Sequence, residues 1–177
     1  MRNRIAVIGL YGVSALFHMS HLPKTGETVK SQTLTIEPGG KGYNQAISAS
    51  RMGGHVYFAT AVGDDEYGYS AEKQITEEGI SECDCVAVRG KTTAFASVCI
   101  DDAGNNIVIV NQGACESYIP AMVETLEARI ASCDVLLLQC EMPLEVIEYA
   151  LSAAKKSGTY TILNPAPARD LSDELIR

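Results

Sequence analysis

From residue 41 onward, apolar runs alternate with segments of helical period, and this constrains the fold more than any other feature of the chain. Tyr43, Ala46, Ile47 and Ser50 recur at i, i+3, i+4 and i+7, and Gly53-Gly54 stops that helix. His55–Val62 reads as a strand, 66–78 as a helix ending at Gly79, and Cys83–Val88 as a short strand. An amphipathic helix is predicted over Ile119–Ile130 with Ser117 as its cap. A buried strand over Asp134–Leu138, a helix from Pro143 to Lys156 closed by Gly158, and a strand over Thr159–Leu163 follow. With the continuous apolar run Ile5–Leu10 ahead of them, these elements predict a parallel α/β sheet.

Two segments interrupt the alternation. About 14–37 and 93–111 are rich in β-branched residues and carry no helix to cover them. Thr28–Ile36 reads as an exposed antiparallel strand, and Asp101–Asn105 as the turn of a hairpin between Thr93–Ile100 and Asn106–Asn111. The economical arrangement is one α/β domain carrying a small antiparallel β lid. Ligands of such sheets bind beyond the carboxyl ends of the strands. That rule gathers Gly9–Ser14, Gly63–Asp65, Gln139–Glu141 and Asn164–Pro167 around one crevice.

The stretch Gly39-Gly40-Lys41-Gly42-Tyr43-Asn44-Gln45-Ala46 is the candidate binding element. Its glycines leave no side chain between main chain and ligand, and the helix after them opens with free N–H groups and a positive dipole end. Lys41 and Asn44 are three apart and leave from one side of that turn, with donors and acceptors suited to a polyhydroxylated ligand. Gly42 follows Lys41 where a Walker A loop needs Ser or Thr, and Gly9-Leu10-Tyr11-Gly12 lacks the dinucleotide spacing. Neither nucleotide motif is present. For Asp64 and Asp65 a helix N-cap is favoured over a catalytic role.

A chain of 177 residues, 46% of them hydrophobic, suffices for one core with a small appendage. No apolar run approaches the roughly 20 residues of a membrane span, and the N-terminus lacks a signal-peptide pattern, so a cytoplasmic location without membrane contact is expected. A net charge of −8 with dispersed lysines argues against nucleic acid. The six cysteines form no C-x-x-C pair and read as reduced core thiols. His18 and His21 would face opposite sides of a strand, and no metal site is assigned. The sequence closes as a helix opens behind Ser172, which reads as a fragment of a longer protein.

These residues resemble the N-terminal part of the ribokinase family, the phosphofructokinase-B (PfkB) type of carbohydrate kinases, over nearly the whole chain. The resemblance is carried by Pro23, Gly26-Glu27-Thr28, the glycine turn, Gly63-Asp64-Asp65, Gln139-Cys140-Glu141-Met142-Pro143 and Asn164-Pro165-Ala166-Pro167-Ala168-Arg169. It implies a three-layer fold with helices on both faces of the sheet, and a parent enzyme that transfers the γ-phosphoryl of ATP, with magnesium, to a sugar hydroxyl. Room is left for a monovalent cation. Gly39, Gly40, Lys41 and Asn44 would hold sugar hydroxyls, Glu141 would accept from another, and Ala96 and Val98 would cover the sugar's apolar face. Asp64 and Asn164 would support these residues from behind, and the lid would pair two subunits into a dimer.

Two departures accompany the resemblance. The family's Gly-Ala-Gly-Asp signature, with its catalytic Asp, is absent and is expected beyond Arg177, so the chain alone is expected to be inactive. A non-catalytic sugar-binding or regulatory half-protein is the alternative. Where family members usually carry Asn and Asp at the end of the first strand, this chain has Gly12 and Ser14, and Tyr43 replaces a common Ala. Those changes predict a reshaped pocket and a preferred substrate other than ribose.

Overall fold

The computed structural model describes residues 3–176. Five parallel strands form the main sheet: β1 (Arg4–Ile8), β4 (His55–Gly63), β5 (Glu82–Val88), β8 (Val135–Gln139) and β9 (Tyr160–Asn164), in the order β5-β4-β1-β8-β9. Central β1 pairs Ile5 with Val56 on one side and with Val135 on the other. A strand covered on both faces must be apolar on both, and β1 and β4 are. Val7, Phe58 and Val62 point to one layer, while Ala6, Ile8, Tyr57, Ala59 and Ala61 point to the other.

Helices α1 (Lys41–Arg51) and α2 (Glu66–Glu77) fill the first layer with Tyr43, Ala46, Ile47, Ala71 and Ile75. The second layer takes α3 (Pro120–Glu124), α4 (Glu127–Ala131) and α5 (Leu144–Ser157), through Val123, Ile130, Val146, Ile147 and Ala150. The alternation predicted the parallel sheet, and the three layers are those the resemblance implied. A short α6 (Asp173–Ile176) follows, with Leu175 N–H donating to Ser172 Oγ at 3.2 Å. Cys115, Cys133 and Cys140 are buried and all six cysteines are free thiols. No helix among the described residues is long and apolar enough to cross a membrane.

The lid is a four-stranded sheet, β3-β2-β6-β7, made of β2 (Gly12–Met19), β3 (Thr33–Gly39), β6 (Ala94–Asp101) and β7 (Asn106–Asn111). It is mixed rather than wholly antiparallel. Each hairpin is antiparallel, but both leave the core in the same direction, so their first strands, β2 and β6, meet in parallel with Ser14 opposite Ala96. β3 begins at Thr33, not at Thr28, and runs directly into Gly39. Gly12 and Ser14 therefore belong to the lid strand β2, since the first strand ends at Ile8.

The single helix expected over 119–130 is broken in two. Pro120 opens α3, and Leu126 N–H then bonds Val123 O at 2.8 Å, an i−3 contact that tightens the chain before α4. Thr125 adds an Oγ1 bond to Met122 O at 2.7 Å, a local competitor to helix continuation. Ser117 sits inside a 3₁₀ turn, Gly113–Ser117, and caps nothing.

Candidate active site

The glycine turn brings α1 against the link between β1 and β2. Gly40 has φ +105°, and a Cβ there would stand 2.5 Å from Leu10 O. At Gly42 a Cβ would meet the Gly9 backbone at 2.7 Å. Only glycine permits this approach, and Tyr43 N–H exploits it by donating to Leu10 O at 3.1 Å. The first turn of α1 is thus less open than the sequence suggests. Lys41 N–H donates to Glu141 Oε2 at 2.7 Å, and Lys41 Nζ reaches Glu141 Oε1 at 2.8 Å. A carboxylate already occupies the positive end of the helix, where the dipole favours it.

Glu141 reaches that place from the turn after β8. Cys140 N–H donates to Ala166 O at 3.0 Å and Arg169 donates to Met142 O at 3.0 Å, so the chain after β9 braces both sides of Glu141. Beneath it, fully buried Gln139 donates Nε2–H to Gln45 Oε1 at 2.8 Å.

Above this floor the lid supplies a wall. Strand register places Ser14, Ala96 and Val110 in one cross-strand row, and Leu16, Val98 and Val108 in the next, all on the same face. The cavity between floor and wall is about 190 Å³ and opens to solvent. Nine residues singled out in the sequence line it: Gly12, Ser14, Gly39, Gly40, Lys41, Asn44, Ala96, Val98 and Glu141. Asp64 and Asn164 do not. Asp64 accepts from Gly90 N–H at 3.0 Å, and Asn164 ends β9 opposite Gln139. Neither Gly63–Asp65 nor Asn164–Pro167 borders the cavity, so the crevice is narrower than the strand-end rule suggested. Tyr43 stays out as well: it is 4% exposed and packs edge-on to Tyr11, ring centroids 5.3 Å apart, so it does not reshape the pocket.

Val108 and Val110 are lining residues the sequence did not single out, because the run Ile107–Val110 is apolar on both faces of β7 and does not mark which one meets the cavity. The Lys41–Glu141 contact carried no local signal, the partners being 100 residues apart.

Chemically, the cavity offers hydrogen-bonding groups on one side and methyl groups on the other. Asn44 is exposed, and its side-chain amide has no protein partner among the described residues; nor has Ser14 Oγ. Lys41 and Glu141 are the only charged residues lining the cavity, and they neutralise each other. No group of three or more His, Cys, Asp or Glu among the described residues could hold a metal ion. A second groove, about 830 Å³, lies apart from this site between α5, β9 and α6.

Fold and cavity together define a three-layer α/β protein whose second sheet overhangs a polar-floored cavity. A model of the pfkB family of carbohydrate kinases matches residues 3–177, and the chain belongs to that family. It is 36% identical over 176 residues to a ribokinase of Haemophilus influenzae, an alignment covering 99% of this chain and 58% of that protein. The structure of ribokinase from Giardia lamblia superposes with a TM-score of 0.87 at 26% identity, covering 98% of this chain and 53% of that one. Arabidopsis thaliana ribokinase, complexed with ribose and ATP, gives 0.79 at 28% identity, with 92% and 53% covered. The chain thus spans a little over half the length of the relatives it matches.

Proposed function

We propose that this chain is the sugar-binding part of an ATP-dependent carbohydrate kinase, which transfers the γ-phosphoryl group of ATP to a hydroxyl of an uncharged sugar. The observation that carries the reading is the cavity itself, a neutralised Lys41–Glu141 pair and the free Asn44 amide facing Ala96, Val98, Val108 and Val110. Sugars present hydroxyls at their edges and C–H groups on their faces, and this cavity answers both. A sugar acid or a phosphorylated sugar would bring a charge that Lys41, already paired, meets only by giving up Glu141.

In this reading Asn44 and the Lys41–Glu141 pair orient the sugar, and the lid keeps water from the acceptor hydroxyl. Phosphoryl transfer rests largely on such positioning and on charge stabilisation. The described residues do not fit magnesium or a triphosphate: they hold no ligand cluster, and no unpaired cation lines the cavity. The nucleotide, its magnesium, any monovalent cation and the catalytic Asp would then belong to sequence beyond Arg177, with Asp64 and Asn164 as supports and the lid pairing two subunits. Gly12 offers no side chain and Ser14 no charge, so the preferred sugar is one other than ribose.

Calorimetric titration of the chain with a panel of pentoses, hexoses, sugar acids and nucleosides tests the reading. Neutral sugars are expected to bind, sugar acids to bind more weakly, and no sugar phosphate to form when ATP is added to this chain alone. Binding confined to charged sugars would overturn it. Ribose as the tightest ligand would overturn the role given to Ser14.

A further inference from the structure

The Gly63-Asp64-Asp65 turn stands outside the cavity, yet it holds the strand that forms the cavity's wall. Asp65 Oδ2 accepts Thr93 N–H at 2.7 Å, and Oδ1 accepts Thr93 Oγ1–H at 2.6 Å. The same hydroxyl accepts Gly63 N–H at 3.0 Å. Asp64 N–H donates to Lys91 O at 3.2 Å, and Gly90 N–H to Asp64 Oδ2 at 3.0 Å. The turn thereby grips residues 90–93, the segment that leads into β6.

A second contact, of different chemistry, acts at the same place. Tyr67, in the first turn of α2, lies with its ring centroid 6.0 Å from that of Phe95 on β6. Thr93 is 1% exposed, and Ala94 beside it lines the cavity against Gly12, where an added Cβ would stand 2.5 Å from Ala94 O. β6 is flanked by β2 and β7, so its base sets the position of both hairpins.

We infer that Asp65 is a positioning residue for the lid: through Thr93 its carboxylate fixes β6 over the glycine turn and sets the depth of the cavity. The consequence for ligand affinity rests on the sugar-binding reading, whereas the anchoring itself does not. Capping and anchoring are separable, because Asp65 Oδ1 also accepts Gly68 N–H at 2.9 Å and Thr93 takes no part in that bond.

Hydrogen exchange read by mass spectrometry on Thr93→Val, Thr93→Ser and Asp65→Asn tests the inference. Thr93→Val is expected to speed exchange across 12–19 and 94–111 about tenfold, as loss of a buried side-chain bond implies, while 55–62 and 66–77 keep wild-type rates and the Gly63 amide, which loses its acceptor, exchanges faster. Thr93→Ser, which retains the hydroxyl, is expected to restore wild-type lid exchange. Asp65→Asn, which keeps one acceptor oxygen, is expected to loosen the lid even where Thr93→Val does not fold. Unchanged lid exchange in Asp65→Asn, or an equal rise in every segment, would overturn the inference. Titration of the same variants with the tightest sugar of the panel should show weaker binding in Thr93→Val and recovery in Thr93→Ser. If the wild-type chain binds no sugar, the sugar-binding reading fails, and the exchange rates still decide the anchoring.

Discussion

Glu141 holds Lys41 twice, with one carboxylate oxygen on the backbone N–H at 2.7 Å and the other on the side-chain ammonium at 2.8 Å. One acidic side chain therefore closes the N-terminus of α1 and cancels the only positive charge on the cavity wall. Glu141→Gln keeps an acceptor for the backbone N–H and loses the ion pair. We expect it to cost about 1 kcal/mol, toward the low end for a charge-assisted bond because Lys41 is 41% exposed and screened by water. Urea unfolding midpoints measure this, and Glu141→Ala should cost more.

Asn44 offers a cleaner separation of binding from folding. Its amide is exposed and makes no bond to the protein, so Asn44→Ala should leave the urea midpoint unchanged. Sugar affinity should fall by about 1–3 kcal/mol, the cost of leaving a ligand hydroxyl without its partner. Affinity at the wild-type value would make Asn44 a plain helix residue.

Asp65 gives the lid anchor an acid limit. Partial burial opposes its ionisation, but the bonds from Thr93 and Gly68 outweigh this and hold its carboxyl below the ordinary value. A depressed folded value means stability that is present above the unfolded value of about 3.9 and is lost as pH falls through the folded one. The stability gap between wild type and Asp65→Asn should thus be widest above about pH 5 and shrink toward pH 3. A gap that widens on acidification would contradict the sign.

The lid's other face carries Ile36 and Ile109 in one cross-strand row, Leu34 and Ile107 in the next, and Ile109 is 68% exposed. Under the proposed dimer, Ile109→Lys should shift the sedimenting species from dimer to monomer while sugar binding to the opposite face persists. A wild-type chain that sediments as a monomer would remove the lid from any role in assembly.

The layered core was legible because its signals are local. Periodicity located α1, α2 and α5, and Gly158, at φ +75°, ends α5 as its position implied. The long helix over 119–130 was misplaced because its apolar period runs unbroken across Thr125, where hydrogen bonding and not hydrophobicity interrupts the helix. Strand direction in the lid was hidden for a different reason. A hairpin announces its own antiparallel pairing, whereas nothing near Ser14 or Ala96 records that β2 and β6 meet. Of the cavity, the glycine turn showed itself by composition; the Glu141 clasp and the Asp65–Thr93 anchor join residues too distant in sequence to leave a pattern.

The length of that Glu141 clasp bears on how the protein is made. Chains emerge from the ribosome N-terminus first, and α1 is complete long before residue 141 has been added. Until then its leading N–H, on Lys41, has no carboxylate to meet, and the glycine turn lies open to solvent. The first lid hairpin is synthesised before α1 and the second between α1 and Glu141, so both precede the carboxylate that completes the floor. A nascent chain halted short of Glu141 would therefore carry a roof without a site, and ligand could reward folding only after the β8 turn has left the exit tunnel.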